Sequence, residues 1–497
     1  MARLNRKAVR SYEGGGLLRV PPEVALFKLV GARLLFEPTY YEAPGHGALR
    51  ISELAKLVHP RYLAMLMLCA RKVFRLRSTP VYLTACAMDA VRGTAYAKLI
   101  EDVAVEVLDR PDFLSELVAI HWRDAKRPLP AVMKRALRRA FLRFDAYQLR
   151  KWGRRRNARV RLRDVMFLVH PTPPPGMEDV YRELANDRLR PAETWESAAA
   201  GSASREERRQ RFEALMRERK LPALACLMGL RMFADLGVDR ELLLDYVSSL
   251  DVRKLLPSKL YAAWLVAKRD LGDEELAAIL NVKWADTALS LPPLPDRPRV
   301  AAVVDVSASM AWGGTVPPMD LGAMAALLAR MRWGADIWVF SNDVARVDLP
   351  ADGLTLADVE RVTHAVRNAG TMLGYAIDTV SDRDYDLILV FTDQQLHDRV
   401  RRLHDGQRGI VFVMVGYGRG SAVELGRQWE MIPGLSEKAL IYTAYARFAE
   451  RYSPERVVAT MLAVGERNGW LSIPERLKAE LEPLPELEPQ LESIGAW

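Results

Sequence analysis

The sequence is poor in the residues that build stapled or zinc-centred proteins. It has three cysteines and seven histidines in 497 residues. Cys69, Cys86 and Cys226 form no CxxC pair and sit in apolar helical runs, so a disulfide framework or structural zinc site is excluded and buried free thiols are expected. There is no HExxH and no GxSxG elbow, which removes the zinc-hydrolase and α/β-hydrolase readings. The longest apolar stretches, such as Tyr62–Ala70, fall far short of the ~20 residues a bilayer span needs. The start, Met1-Ala-Arg-Leu-Asn-Arg-Lys, is basic with no apolar signal core behind it. A cytoplasmic protein with no membrane association is expected, and nothing groups a nucleophile, a base and an oxyanion site as an enzyme would.

What is present is ordinary in amount and uneven in place. Hydrophobic residues make up 50% and charged residues 27%, values of a soluble globular chain. Acidic residues are scarce in one stretch: from His121 to His170 sixteen Lys and Arg face three Asp, a local +13. The whole chain carries +9, so the remainder is slightly acidic. Basicity confined in this way is the footprint of a polyanion site. Lys134, Arg135, Arg138 and Arg139 recur at helical spacing, which gathers charge on one face. The run that follows, from Arg150 to Arg161, holds Lys151, Arg154, Arg155, Arg156, Arg159 and Arg161, whose guanidinium forks suit phosphate oxygens. Tyr147 and Trp152 lie among them as candidates to stack on exposed bases.

Residues from about 50 to 285 read as successive amphipathic helices without a strict repeat, the pattern of a degenerate α-solenoid. Helices are expected at Arg61–Leu76, Pro80–Met88, Ala95–Leu108, Pro111–Arg123, Pro130–Leu149, Glu178–Asn186, Arg205–Arg219, Pro222–Leu236, Arg240–Ser248 and Pro257–Lys268. The proline-rich stretch 291–299 then marks a change. Val300–Asp305, Ala335–Phe340, Asp386–Thr392, Gly409–Gly416 and Leu440–Thr443 read as strands alternating with helices at Asp320–Met331, Leu356–Val366 and Met372–Val380. Strands without polar alternation predict a parallel sheet covered on both faces. Domains are therefore expected at 1–290 (helical), 300–470 (α/β, after the linker 291–299) and 471–497 (an acidic, proline-rich, solvated tail).

The first strand ends in Asp305-Val-Ser307-Ala-Ser309, at the carboxyl edge where open α/β sheets hold ligands. Thr371 lies at a later loop-to-helix junction, and Asp393 ends another strand. Two carboxylates and three hydroxyls are hard oxygen donors suited to a divalent cation, Mg²⁺ the best match. The Asp-x-Ser-x-Ser … Thr … Asp set resembles the metal-ion-dependent adhesion site of von Willebrand factor A domains. Gly416-Tyr-Gly418-Arg-Gly420 departs from the dinucleotide spacing GxGxxG and lies late in the sheet. Asp382, Asp384 and Asp386 read as loop solvation.

Further motifs extend the likeness over most of the chain. Arg161-Leu-Arg-Asp-Val-Met-Phe-Leu-Val-His170-Pro171 resembles the K-D-x-x-R-L-x-H-x-K-P stretch of TROVE-domain proteins, the Ro autoantigen family. Pro38-Thr-Tyr-Tyr41 is similar to that family's G-T-Y-Y element, and Leu221-Pro-Ala-Leu-Ala-Cys-Leu to its M-P-L-T-A-L-L helix. The resemblance implies a ring of HEAT-like helical repeats with a von Willebrand A domain, binding RNA rather than making bonds. It implies small Y RNA on the basic outer surface and single-stranded 3′ ends of misfolded non-coding RNA through the ring. It also implies polynucleotide phosphorylase or another exoribonuclease as partner, and a monomeric protein. The family's RNA-contacting positions fall on Lys151, Arg154, Arg156 and His170. The pattern's lysine is missing after His170-Pro171, where the chain reads Thr-Pro-Pro-Pro-Gly176. Gly229 stands where asparagine is usual, and Ala369 where glycine precedes Thr371. The alternative is a metal-site adaptor that assembles protein complexes without RNA.

Overall fold

The structure is a computed structural model. It describes residues 22–32, 46–154, 158–191, 204–252, 255–288, 291, 294, 297–311, 316–393, 398, 400, 403–413, 428–433, 440, 443, 454–467 and 471–481. They divide into two compact units, one made of residues 22–191 with 454–481, the other of 204–443. These boundaries differ from those expected at 290 and 470. Helices that precede the proline-rich stretch pack with the helix over one face of the sheet, and the chain's C-terminal helices return to the first unit.

That first unit is helical: α1 (Pro22–Ala32), α2 (His46–Ala55), α3 (Pro60–Leu68, prolonged by a π turn to Val73), α4 (Ser78–Ala90), α5 (Ala97–Val107), α6 (Pro111–His121), α7 (Ala131–Phe141), α8 (Ala146–Gly153), α9 (Leu162–Val169) and α10 (Glu178–Ala185). α4 packs on α2, α3, α5 and α6, and α7 on α5 and α9, the staggered neighbour pattern of stacked helical hairpins. Pro111 opens α6 in the first turn, where its missing N–H is no loss. The single helix expected over Pro130–Leu149 is two. Asp145 accepts from the Gln148 amide at 2.7 Å while Gln148 Oε1 accepts from the Asp145 amide at 3.1 Å, a capping box that starts a new helix. Cys69 and Cys86 are buried here, and burial pushes the Cys86 thiol up to about 12.

The start of the expected solvated tail is instead docked. After α20 (Pro454–Arg467), α21 (Glu475–Leu481) buries Leu477 and Leu481 against α3 and α5, and the Arg476 guanidinium reaches Glu106 at 3.4 Å. The leucines at 477 and 481 are one turn apart, so a sequence rich in Glu still presents an apolar stripe.

The second unit starts with α11 (Arg205–Arg217), α12 (Ala223–Met228), α13 (Leu230–Leu236), α14 (Arg240–Ser249), α15 (Pro257–Leu265, prolonged by a π turn to Leu271) and α16 (Glu274–Ala288). The expected helix Pro222–Leu236 breaks at Gly229. A Cβ there would meet the Phe233 ring at 2.7 Å and the Ala225 carbonyl at 3.0 Å, so the asparagine usual in the resembled pattern does not fit this packing.

The sheet has strands β1 (Val300–Asp305), β2 (Asp336–Phe340), β3 (Val344–Arg346), β4 (Leu387–Thr392), β5 (Arg408–Val413) and β6 (Trp429–Pro433). Their order is β3-β2-β1-β4-β5-β6, with β3 antiparallel and every other pairing parallel. β1 and β4 are buried at every residue, which is why they read as continuous apolar runs. α17 (Pro318–Trp333) covers one face. It sits close because Gly322 has no side chain where a Cβ would lie 3.2 Å from Phe391 and 3.3 Å from Val304. α19 (Leu373–Ser381) covers the other with Leu373, Ala376, Ile377 and Val380, while α18 (Asp358–Thr363) packs on α17. β6 and the short edge strand β3 were not legible in the sequence. Leu440 and Thr443, expected in a strand, are helical, with the residues between them outside the described set. Asp382, Asp384 and Asp386 fasten the sheet's lower edge. Asp386 accepts from the Arg299 amide at 2.7 Å, Asp384 pairs with the Arg299 side chain, and Asp382 meets His404 at 3.0 Å.

Introducing asparagine at Gly229 forces the Phe233 ring out of its edge-on packing with Phe212. Gly229→Asn is expected to lower stability by about 1–3 kcal/mol, the usual effect of overpacking, read as a shifted denaturant midpoint with unchanged slope.

Candidate functional site

The basic block runs from the end of α6 through α7, α8 and α9 with the loops between them. The structure sorts its cations into two groups. The first is neutralised from α5, a helix far away in sequence. Glu101 and Asp102 are almost wholly buried there. Arg135 Nε donates to Glu101 at 2.6 Å, and Arg139 donates to Glu101 at 2.9 Å and to Asp102 at 2.5 Å. Arg143 pairs with Glu106 at 3.1 Å. Burial alone would raise the Asp102 carboxyl, but Lys98 and Arg139 together hold it below its ordinary value. Arg150 meets Glu183 at 3.4 Å, and Arg161 meets Asp187 at 3.4 Å and Asp164 at 3.6 Å. Arg159 donates to the carbonyls of Trp122 and Arg123 at 2.6 and 3.1 Å. The sequence reading therefore overstated the free charge. Arg139, Arg159 and Arg161 hold helices and loops together as well as lying in the basic block.

The second group faces solvent without a carboxylate. Lys134, Arg138, Arg154 and His170 are exposed and make no ion pair with any described residue. Arg138 Nε donates to the Val169 carbonyl at 2.7 Å, which joins α7 to the C-terminus of α9. His170 follows directly in the left-handed conformation (φ 46°), its amide bonded to the Met166 carbonyl at 2.9 Å. This turn ends α9, so His170 directly follows the carbonyl that Arg138 of α7 holds. Arg154 is carried on the end of α8, fixed where Gly153 is buried under Leu184 and Leu189. Lys151 lies 5.9 Å from the Tyr147 ring and 5.8 Å from the Trp152 ring. Tyr147 is exposed, whereas Trp152 already carries the Arg110 guanidinium 4.6 Å over its face. Arg155 and Arg156 lie outside the described residues, as do Pro38-Thr-Tyr-Tyr41 and Gly416–Gly420.

The oxygen cluster lies in the other unit, at the carboxyl edge of the sheet. The strand order reverses between β1 and β4, so the chain leaves these two strands in opposite directions and opens a crevice there. Asp305 ends β1 and Asp393 follows β4; both are completely buried. Asp305 Oδ1 accepts from the Ser307 amide at 2.9 Å, and Oδ2 from the Thr392 hydroxyl at 2.6 Å. The Ser307 and Ser309 hydroxyls are 3.2 Å apart. Thr371 is buried on a loop that three bonds fasten to the same edge: the Ala308 amide to the Ala369 carbonyl (3.0 Å), the Gly370 amide to Asn342 Oδ1 (3.1 Å) and the Met372 amide to the Ser341 carbonyl (2.9 Å). Ala369 takes part only through its carbonyl, so replacing glycine there leaves the donors intact.

Burial, reinforced by the charge of Asp393, pushes the Asp305 carboxyl up to about 7. No basic side chain bonds to the Asp305 carboxylate among the described residues. Two buried carboxylates with hydroxyls between them are an arrangement a small divalent cation would relieve. Asp305, Ser307, Ser309, Thr371 and Asp393 thus fit the cation that their pattern implies. No cluster of three or more His, Cys, Asp or Glu occurs among the described residues, so a soft-metal or zinc site does not arise there. No described helix is long and apolar enough to cross a membrane.

Removing one charge from the pair is expected to help the metal-free protein. In chelator, Asp393→Asn raises Tm relative to the parent. Added Mg²⁺ raises the parent's Tm and leaves the variant's unchanged, as read by thermal unfolding. Because the Asp305 carboxyl is raised, its contribution to metal-free stability is present at low pH and is lost as pH rises through about 7.

No protein-family model matches the sequence, and no curated protein matches it. Among solved structures the chain is similar to the crystal structure of the Deinococcus radiodurans Ro (RSR) protein, at 15% identity and a TM-score of 0.58, over 85% of this chain and 100% of that one. The chain has the fold of a bacterial Ro protein, helical repeats together with a von Willebrand A-type α/β unit.

Proposed function

We propose that the protein is a non-enzymatic RNA-binding scaffold of the Ro kind. The observation that carries this reading is the solvent-facing set Lys134, Arg138, Arg154 and His170, which keeps its charge-bearing groups clear of the buried carboxylates that neutralise the neighbouring arginines. Ammonium and guanidinium groups there meet RNA phosphates and release counterions. Lys151, Arg155, Arg156, Arg159 and Arg161 extend the contact along the same block. The ligand is a small structured RNA of the Y type, with single-stranded 3′ ends of misfolded non-coding RNA as a second substrate class. Polynucleotide phosphorylase or another exoribonuclease is the protein partner, and the setting is RNA quality control in the cytoplasm by a monomer. Asp305, Ser307, Ser309, Thr371 and Asp393 hold Mg²⁺, whose open coordination positions would accept a carboxylate from a protein partner.

A second reading, an adaptor that uses the cation site and no RNA, is favoured by the buried Asp305–Asp393 pair alone.

Gel-shift titration of a structured small RNA at rising salt tests the first reading. Affinity is expected to fall steeply, and Lys134→Ala with Arg154→Ala should lower the log–log salt slope by about 2, roughly one for each phosphate that is no longer neutralised. Both side chains are exposed, so the Tm of this variant stays that of the parent. Arg139→Ala, by contrast, leaves Glu101 and Asp102 short of a partner and is expected to lower stability by about 2 kcal/mol. A protein that binds no RNA at low salt but pulls down a protein in Mg²⁺ would establish the adaptor instead.

A further inference from the structure

α9, which Arg138 of α7 joins at its C-terminus, exposes an aromatic ring beside a cation. Phe167 is 48% exposed, one of the few large apolar side chains left in water. Arg163, one turn earlier, lays its guanidinium 5.3 Å from the ring centroid. Arg163 pairs with no carboxylate among the described residues, so its charge remains available. His170 caps the same helix three residues on, and Arg138 bonds to the carbonyl of Val169 between them. In the pattern that this segment resembles, K-D-x-x-R-L-x-H, position 167 is arginine, so the ring is a feature of this chain.

Phe167 lies outside the buried face of α9, which Leu162, Val165, Met166 and Val169 form. Against an aliphatic partner surface, the surrounding cations would be buried at a cost. A nucleotide removes that difficulty: the π face of its base would stack on the ring while the backbone phosphates meet Arg163, Arg138 and Lys134. A base within a duplex is already stacked on both faces, so only an unpaired one can use the ring.

We propose that Phe167 and Arg163 form a stacking subsite for one unpaired nucleobase, with His170, Arg138 and Lys134 holding the adjoining phosphates. The subsite rests on the RNA-binding reading above and gives it a preference: looped-out or single-stranded nucleotides over continuous duplex.

The test uses the full-length protein and three fluorescent probes: a short single-stranded oligoribonucleotide, the same oligonucleotide with abasic residues, and a blunt duplex of equal charge. Phe167→Ala should weaken binding of the single strand about tenfold, the usual worth of one stacked base, and leave the duplex and the abasic strand unchanged. Phe167→Trp should bind like the parent, with its indole emission quenched by the single strand. Circular dichroism and Tm stay as in the parent for both. Equal single-strand affinity for Phe167→Ala and parent, while Lys134→Ala with Arg154→Ala weakens it, overturns the subsite and leaves the RNA reading standing. Equal binding by Phe167→Leu and Phe167→Trp also overturns stacking, since an aliphatic side chain cannot reproduce it. A parent protein that binds none of the three probes overturns both readings.

Discussion

The helical unit depends on two carboxylates buried in α5. Glu101 and Asp102 are removed from water, and they are tolerable only because Arg135 and Arg139 of α7, with Lys98 below them, surround them with charge-assisted hydrogen bonds. Breaking such a set strands a charge in the interior. The pairing thus fixes which face of α7 turns inward, and by helical geometry it also decides which cations turn outward. Lys134 and Arg138 are one turn apart and meet no carboxylate among the described residues, whereas Arg135 and Arg139, each one residue further on, reach Glu101 and Asp102, Arg135 while still half exposed.

The same economy of charge runs through α8 and α9. Arg150 and Arg161 answer acids on α10 and its flanking turn, and Arg159 serves backbone carbonyls. The cations without a carboxylate partner among the described residues are fewer than sixteen basic residues imply: on α7, α8 and α9 they are Lys134, Arg138, Arg154 and Arg163, with the His170 ring following α9. Rigid helices hold these groups, and their spacing is set by packing at Gly153 and by the Arg138–Val169 bond.

In the α/β unit the constraint is topological. Only at the reversal of strand order do the loops after β1 and β4 diverge, and the two aspartates stand there. Burying both is costly in isolation, and the Thr392 hydroxyl and the Ser307 amide offset part of that by donating to Asp305. The solvent-facing cations of the helices and the buried carboxylates and hydroxyls of the sheet edge are chemically opposite clusters in separate compact units of one chain, and the proposed roles, phosphate binding and cation binding, follow that difference.

Much of this was legible in the order of residues. Continuous apolar runs such as Val300–Asp305 and Asp386–Thr392 imply parallel strands because both faces of such strands are covered. Helical periodicity is equally local, and so is the Asp-x-Ser-x-Ser signature, since strand and turn place those side chains without help from elsewhere. The capping box that splits Pro130–Leu149 was also local, in Asp145 and Gln148, though the apolar periodicity hid it. Charge was different. A count of Lys and Arg along the chain holds no information about Glu101, Asp102, Glu106 or Glu183, which are up to 38 residues away from their partners in sequence. The docking of α21 was likewise hidden, because its two leucines acquire meaning only against α3 and α5. The sequence by itself determined the elements and the identity of the candidate ligand groups, because backbone propensity and side-chain chemistry are local. Only the tertiary structure decided which charges stay free, because Coulomb pairing depends on distance in space.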